Sequence, residues 1–337
     1  AVPYSLENDP NMVGGYMEGY NTTKLSEERN DSYNITIQGI ANYMKTFGKH
    51  DLNLMAGYET YYSSGENLGA SRDQYELSNF PYLNVGPLDL RDNSGSATEL
   101  SYRSWFGRVA YSFDNRYLFQ ANIRYDGSSR FIGDQRWGFF PSVSAGWNIA
   151  REEFFGSLSD IFSTLKVRGS WGQLGNTDTN DAWYPFYQTM PVGTANGRWL
   201  VNGLKPNVAG LPSIVSSLKT WETVETWDVG LDWSLLNNRL TGSFDYFTRY
   251  TYDMIGPAPE LPSVLGTTPP KINNSDMKSY GFELELSWRD RIGDVSYGAK
   301  FVLSDARQKI TRYPNESRSL DIAHYSGKML NEIWGYT

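Results

Sequence analysis

Residues equipped for chemistry are few and scattered along the chain. His50 and His324 are the only histidines and there is no cysteine, so a disulfide framework, a thiolate metal site and a thiol nucleophile are all excluded. A Ser–His or two-His site needs further partners, and neither an HxH nor an HExxH spacing occurs. Glu283 and Glu285 stand two apart, on one face of an extended segment, the arrangement from which paired-carboxylate hydrolysis would start. Charges on a wetted wall, balanced by nearby Arg or Lys, are the plainer reading of that pair. Residues 169–175 read GSWGQLG, but no helix follows to present N–H groups to a phosphate. Asn176, Asp178, Asn180 and Asp181 offer oxygens to a calcium ion, without the Gly and terminal Glu of a defined loop. Trp183, Tyr184, Tyr187 and Trp199 fall in one predicted loop, where flat rings stack on sugars or rest against a protein. Packing of loop on loop competes with that ligand- or partner-binding role and carries more weight. Arg72, Arg91 and Arg130 read as solvated loop charges. No enzyme, cofactor or metal is expected.

The elements that position these residues have a period of two. From Trp105 one face reads Trp105, Gly107, Val109, Tyr111, Phe113 and the other Phe106, Arg108, Ala110, Ser112. After a turn at Asp114-Asn115-Arg116, Tyr117, Phe119, Ala121, Ile123 and Tyr125 oppose Leu118, Gln120, Asn122 and Arg124. Side chains in a strand alternate faces, so this is a long hairpin with one apolar and one polar side. The same grammar predicts about ten strands, with turns near 46–50, 114–116, 151–163, 237–238 and 290–294. Between them lie excursions at 63–98, 177–221 and 252–276, with 128–136 a brief exception. Residues 1–30 read as a polar loop with a frayed strand at 14–22. Tight turns at one end and long loops at the other belong to an up-and-down antiparallel barrel that spans a membrane.

Composition agrees with that class. Aromatics make up 15% of the 337 residues, with 24 Tyr, 16 Phe and 11 Trp. Mean hydropathy is only −0.52, and no apolar run is long enough for a transmembrane helix. A barrel strand needs only ~9–11 residues with apolar groups at alternate positions, so a low mean is compatible with crossing a bilayer. The net charge of −8 excludes a nucleic-acid surface. Rings concentrate near strand ends, as in the aromatic girdles at lipid–water boundaries. The opposite face carries Arg108, Arg124, Arg168, Asp228, Asp232, Asp245, Glu283, Glu285 and Lys300, which are expected to line a wet lumen. An Arg or Lys turned to lipid at the midplane would cost ~2–4 kcal/mol. A large extracellular β-sandwich or solenoid is the competing architecture.

Seven segments carry a family likeness: TFGKHDLNLMAGYE (46–59), SWFGRVAYSFDNRYLFQANIRYDGSSRF (104–131), RWGFFPSVSAGWNIAREEFF (136–155), LKVRGSWGQLGN (165–176), ETWDVGLDWSLLNNRLTGSFDYFTRYTYDMI (225–255), MKSYGFELELSWRD (277–290) and NEIWGY (331–336). In this order they resemble the barrel of the SusC/RagA family of TonB-dependent transporters from Bacteroidetes outer membranes. The resemblance implies an all-β fold, with residues 1–337 forming part of a barrel of about 22 strands that has long extracellular loops and short periplasmic turns. It implies TonB-energised import of a large nutrient, a glycan or an oligopeptide, beneath a SusD-like surface lipoprotein acting as a lid. TonB would engage an N-terminal region outside this sequence; plug, TonB box, N-terminal extension and closing strands are expected in a longer polypeptide. A passive channel or anchoring barrel of the same architecture is the runner-up, and a secreted carbohydrate-binding β-protein the third reading.

Overall fold

The computed structural model describes residues 3–6, 9–16, 23–75, 80–158, 161–177, 183–194, 200–259, 262, 264, 266–267, 269–315 and 324–333. Fourteen strands follow one another: β1 (Pro3–Leu6), β2 (Asp9–Tyr16), β3 (Leu25–Phe47), β4 (His50–Arg72), β5 (Arg91–Phe113), β6 (Tyr117–Ser128), β7 (Trp137–Asn148), β8 (Phe162–Asn176), β9 (Val192–Thr194), β10 (Asn207–Ala209), β11 (Glu222–Leu235), β12 (Leu240–Ile255), β13 (Asn273–Ile292) and β14 (Val295–Arg312). Ten of them form one sheet in the order β14-β13-β12-β11-β8-β7-β6-β5-β4-β3, while β1-β2 and β9-β10 are separate hairpins. Sequential neighbours pair antiparallel, and only the excursion carrying β9 and β10 interrupts the series. No helix among the described residues is long and apolar enough to cross a membrane.

The chain divides into two compact units, residues 1–36 with 61–101, and residues 37–60 with 102–337. In the first, strands extend well past the predicted loop boundaries. β4 continues to Arg72 and β5 begins at Arg91, so the excursion read as 63–98 shrinks to 73–90. These outer stretches are held by polar and ring contacts: Tyr62 donates to Glu99 at 2.9 Å, Asn67 to Asn30 at 2.6 Å, and Tyr33 lies 5.9 Å from Tyr62. With polar residues on both faces they carry no hydrophobic alternation, and periodicity cannot reveal them. Arg72 is likewise no freely solvated charge, since its Nη1 donates to the Gly86 carbonyl at 2.8 Å.

In the second unit, register joins the apolar sides into one continuous face. Trp105 faces Tyr125, Val109 faces Ala121 and Phe113 faces Tyr117; Trp171 faces Trp227, and Leu284 faces Leu303. Rings gather in two rows on this face. Near the short turns, Phe47, His50, Phe113 and Tyr117 run in contact at 5.2, 4.9 and 6.3 Å. Toward the other end, Tyr58–Trp105, Trp105–Trp137 and Trp137–Tyr125 lie at 5.4, 5.4 and 5.1 Å. Between the rows stand Val109, Ala121, Ile123, Val143 and Ala145. Tyr117 and Tyr125 bound this belt on β6; the eight residues separating them give ~27 Å along the strand. At the ~40° tilt of such walls that is ~20 Å of height, near the ~25 Å apolar band of outer-membrane barrels. Only six apolar side chains are buried among the described residues, so no second layer covers the sheet as it would in a sandwich.

The short turns are built for sharp reversal. Asp114 and Asn115 both take left-handed φ, 54° and 52°, the conformation that hairpin turns demand and that Asp and Asn tolerate. Lys49 donates to Asp114 at 2.9 Å, and that bond holds the Asp114 carboxyl below its ordinary range. Glu152 is held low as well, by hydrogen bonds from Tyr117 and then Trp147, whose indole N–H lies at 2.9 Å.

Placing a charge in mid-belt separates the two faces energetically. Ala121→Arg is expected to destabilise the bilayer-reconstituted barrel by ~2–4 kcal/mol, and Asn122→Arg, one residue away on the polar face, by much less. Urea unfolding in vesicles measures both; equal costs would contradict the assignment of faces.

Candidate functional site

The polar face assembles most of the charged residues picked out in the sequence. Gly146, Arg168, Gly230, Asp245 and Glu283 lie opposite one another across five strands. Gly230 leaves the space above β11 empty, and the Arg168 side chain crosses it. Its Nη2 reaches Asp245 Oδ1 at 2.6 Å, its Nη1 reaches Asp228 at 3.3 Å and its Nε reaches Asp232 at 3.2 Å. A Cβ at position 230 would sit 2.6 Å from the guanidinium carbon and 2.5 Å from Asp245 Oδ1, so the glycine is a geometric requirement of the network. Arg168 is 32% exposed and its three partners 17–32%; the group is half-buried and its planar fork suits several carboxylates at once.

Two further groups lie on the same face. Lys300 Nζ bonds Glu285 Oε1 at 2.7 Å. Arg124 Nε donates to both oxygens of Asp126 at 3.0 and 2.9 Å, its Nη2 donates to Ser104 at 3.0 Å and lies 3.5 Å from Glu59, and its guanidinium stands 5.6 Å from the Phe106 ring centre. Glu59 and Asp126 were not singled out in the sequence, although Asp126, two residues after Arg124, follows from the same alternation. Arg108 shares the face, and its Nε has no acceptor among the described residues. Beside Arg168 opens a hollow of about 680 Å3 whose polar-face lining includes Asn53, Ser112, Gln120, Ser144, Lys166 and Asp228. Asn53 Oδ1 and Ser112 Oγ are buried with no hydrogen-bond partner among the described residues.

These arrangements pair carboxylates with cations. Glu285 is neutralised by Lys300, and no group of three or more His, Cys, Asp or Glu suited to a metal occurs among the described residues. His50 sits in the aromatic row with its Nδ1 2.7 Å from the Tyr111 hydroxyl, and His324 lies edge-on to Tyr313 at 5.6 Å.

At the long-loop end, the predicted binding aromatics divide. Trp183 lies 5.5 Å from the Arg130 guanidinium, and Arg130 is 9% exposed, contrary to its reading as a solvated loop charge. Burial under the Trp183 ring explains the difference. Tyr184 and Phe186 lie 6.1 and 4.7 Å from Tyr187, which is 64% exposed. Trp199, Asp178, Asn180 and Asp181 fall outside the described residues. A small core that alternation alone does not foretell lies here, with Phe131, Phe140 and Trp221 buried against Tyr102. The Trp221 indole donates to the Arg136 carbonyl at 3.0 Å and Tyr102 Oη meets Thr177 Oγ1 at 2.7 Å. Phe140 occupies a polar-face position of β7, and that break in alternation was the available signal.

Removing the guanidinium in Arg168→Met, or displacing it in Gly230→Ala, is expected to cost about 1–3 kcal/mol, an uncompensated half-buried cluster standing between exposed and fully buried pairs. Because both changes disable one network, the double variant should cost less than the sum of the two; strict additivity in unfolding measurements would separate Gly230 from Arg168.

Comparison with known proteins agrees with this geometry. The family model described as TonB dependent receptor-like, beta-barrel matches residues 3–335. The TonB-dependent receptor SusC of Bacteroides thetaiotaomicron is 32% identical over 300 residues, covering 86% of this chain and 28% of SusC. TonB-dependent receptor P3 of Formosa agariphila is 30% identical over 294 residues, again covering 86% and 28%. A solved structure of the RagAB peptide transporter aligns with a TM-score of 0.77 at 25% identity, covering 87% of this chain and 32% of that one. The chain thus spans less than a third of the length of these relatives. With its apolar belt, its aromatic rows and its ten-stranded antiparallel sheet, the chain belongs to the TonB-dependent receptor β-barrel family, outer-membrane proteins of the SusC/RagA type.

Proposed function

We propose that this chain is a section of the wall of a transporter that imports a large nutrient, a glycan or an oligopeptide, across the outer membrane with energy relayed by TonB. The two-faced wall carries this reading: an apolar belt between aromatic rows on one side, and the Arg168, Arg124 and Lys300 networks on the other. In that role Arg108, Arg124, Arg168, Asp228, Asp232, Asp245, Glu283, Glu285 and Lys300 line the lumen. The polar side chains that line the hollow, among them Gln120, Ser144 and Lys166, suit a polar filling such as a plug or a hydrated solute. The edge strands β3 and β14 continue into the rest of a barrel of about 22 strands, since an unpaired edge in hydrocarbon costs several kcal/mol per backbone group.

At the outer end, Tyr187 is the exposed ring of its cluster, and with Tyr184 and Trp183 it belongs to the surface that meets solute or a SusD-like lipoprotein lid. RagAB is a peptide transporter, which supports the oligopeptide class, and SusC is a TonB-dependent receptor, which supports TonB-linked import.

Uptake of a labelled oligopeptide pool and a labelled oligosaccharide pool by cells with and without this protein tests the proposal. One pool should enter only when the protein, TonB and the neighbouring SusD-like lipoprotein are all present. Undiminished uptake after loss of TonB would identify a passive channel instead.

A further inference from the structure

Above the aromatic row, the apolar face of β13 and β14 changes character within a few residues. Leu286 faces Phe301 and Leu284 faces Leu303, then Phe282 faces Asp305, Tyr280 faces Arg307 and Lys278 faces Lys309. Strand alternation keeps all of these on the side that carries the belt, at the end away from the short turns. Lys278 lies four residues beyond Phe282, ~13 Å along the strand and ~10 Å of height at a ~40° tilt, a depth belonging to headgroups.

The cations are arranged for an anion. Like charges directly opposite one another in a sheet repel, and Lys278 and Lys309 are such a pair. Lys278 Nζ stands 4.9 Å from the Tyr250 ring centre and 5.6 Å from that of Tyr280, and Tyr250 stacks on Tyr252 at 5.8 Å. Arg307 pairs with Asp305 at 3.3 Å while staying exposed. The other carboxylate in the Lys278 pairing row, Glu225, lies two strands away and already accepts from Gln173 at 2.9 Å and Trp227 at 3.1 Å. Asp276, next along that face of β13, is held with Asp253 by Arg312 at 2.7 and 2.9 Å, so Lys278 and Lys309 have no ion pair among the described residues, on the outside of a chain whose net charge is −8.

We propose that Lys278, Arg307 and Lys309 form a lipid-side site for the phosphate of an outer-leaflet lipid headgroup, with Tyr250 and Tyr280 flanking it. A bridging phosphate relieves the Lys–Lys repulsion and accepts charge-assisted hydrogen bonds from all three cations. Such a contact anchors the wall at a fixed depth and places a bound lipid beside the strands that lead to the outer loops.

The test uses the full-length protein in detergent, with phosphorylated lipid A, its dephosphorylated form and inorganic phosphate as probes, read by native mass spectrometry. Wild type should retain the phosphorylated lipid in preference to the dephosphorylated one. K278Q/K309Q should lower that retention about tenfold or more, at ~1 kcal/mol for each lysine near an anionic surface. K300Q, on the opposite face, should retain the lipid like wild type, and heat-modifiable gel migration verifies that each variant is a folded barrel. Equal retention of the two lipids by wild type, or unchanged retention by a folded K278Q/K309Q, would overturn the site. Displacement of the lipid by inorganic phosphate at equal concentration would overturn its assignment to a lipid.

Discussion

Every backbone N–H and C=O that enters hydrocarbon must be paired within the protein, because lipid offers no partner and each orphan costs several kcal/mol. An antiparallel sheet meets that demand with strands of modest length, and its pleat then dictates everything else about the wall. Alternate side chains point to lipid and to water, so a strand is an apolar sequence and a polar sequence interleaved. That interleaving explains how a chain with mean hydropathy −0.52 builds a membrane wall, and why its rings lie in two rows rather than in a core.

The polar face shows how such a wall manages charge without a buried interior. Arg168 gathers Asp228, Asp232 and Asp245 from two neighbouring strands, and it does so only because Gly230 clears its path. Arg124 repeats the device on a smaller scale with Asp126 and Glu59. Networks of this kind stiffen the wall where β8, β11 and β12 meet. In these networks each carboxylate pairs with a cation.

Alternation made much of this legible from residues alone. The ten strands of the main sheet, the tight turn at Asp114-Asn115 and the sharing of one face by Arg168 with its three aspartates follow from period two. Pairing of Arg168 with Asp245 across an intervening strand does not, since it depends on register set by turns elsewhere. The outer halves of β3, β4 and β5 escaped because both their faces are polar, and their pairing carries no hydrophobic signal. The small core of Phe131, Phe140 and Trp221 escaped because it joins a strand and the loop before it to Trp221, 81 residues beyond Phe140, and Arg130 looked solvated because the ring that covers it, Trp183, lies 53 residues away in the sequence.

The most direct test of the account reads the two faces residue by residue. A single cysteine is introduced at each position from 118 to 124 of the full-length protein, any cysteine outside this cysteine-free section being replaced first, and carries a unique nitroxide label. Its relaxation by oxygen and by a water-soluble nickel chelate is then measured in bilayers. The account predicts strict alternation, with oxygen dominant at 119, 121 and 123 and the nickel chelate dominant at 118, 120, 122 and 124. Loss of alternation, or alternation in the opposite phase, would contradict a wall with lipid on its aromatic side.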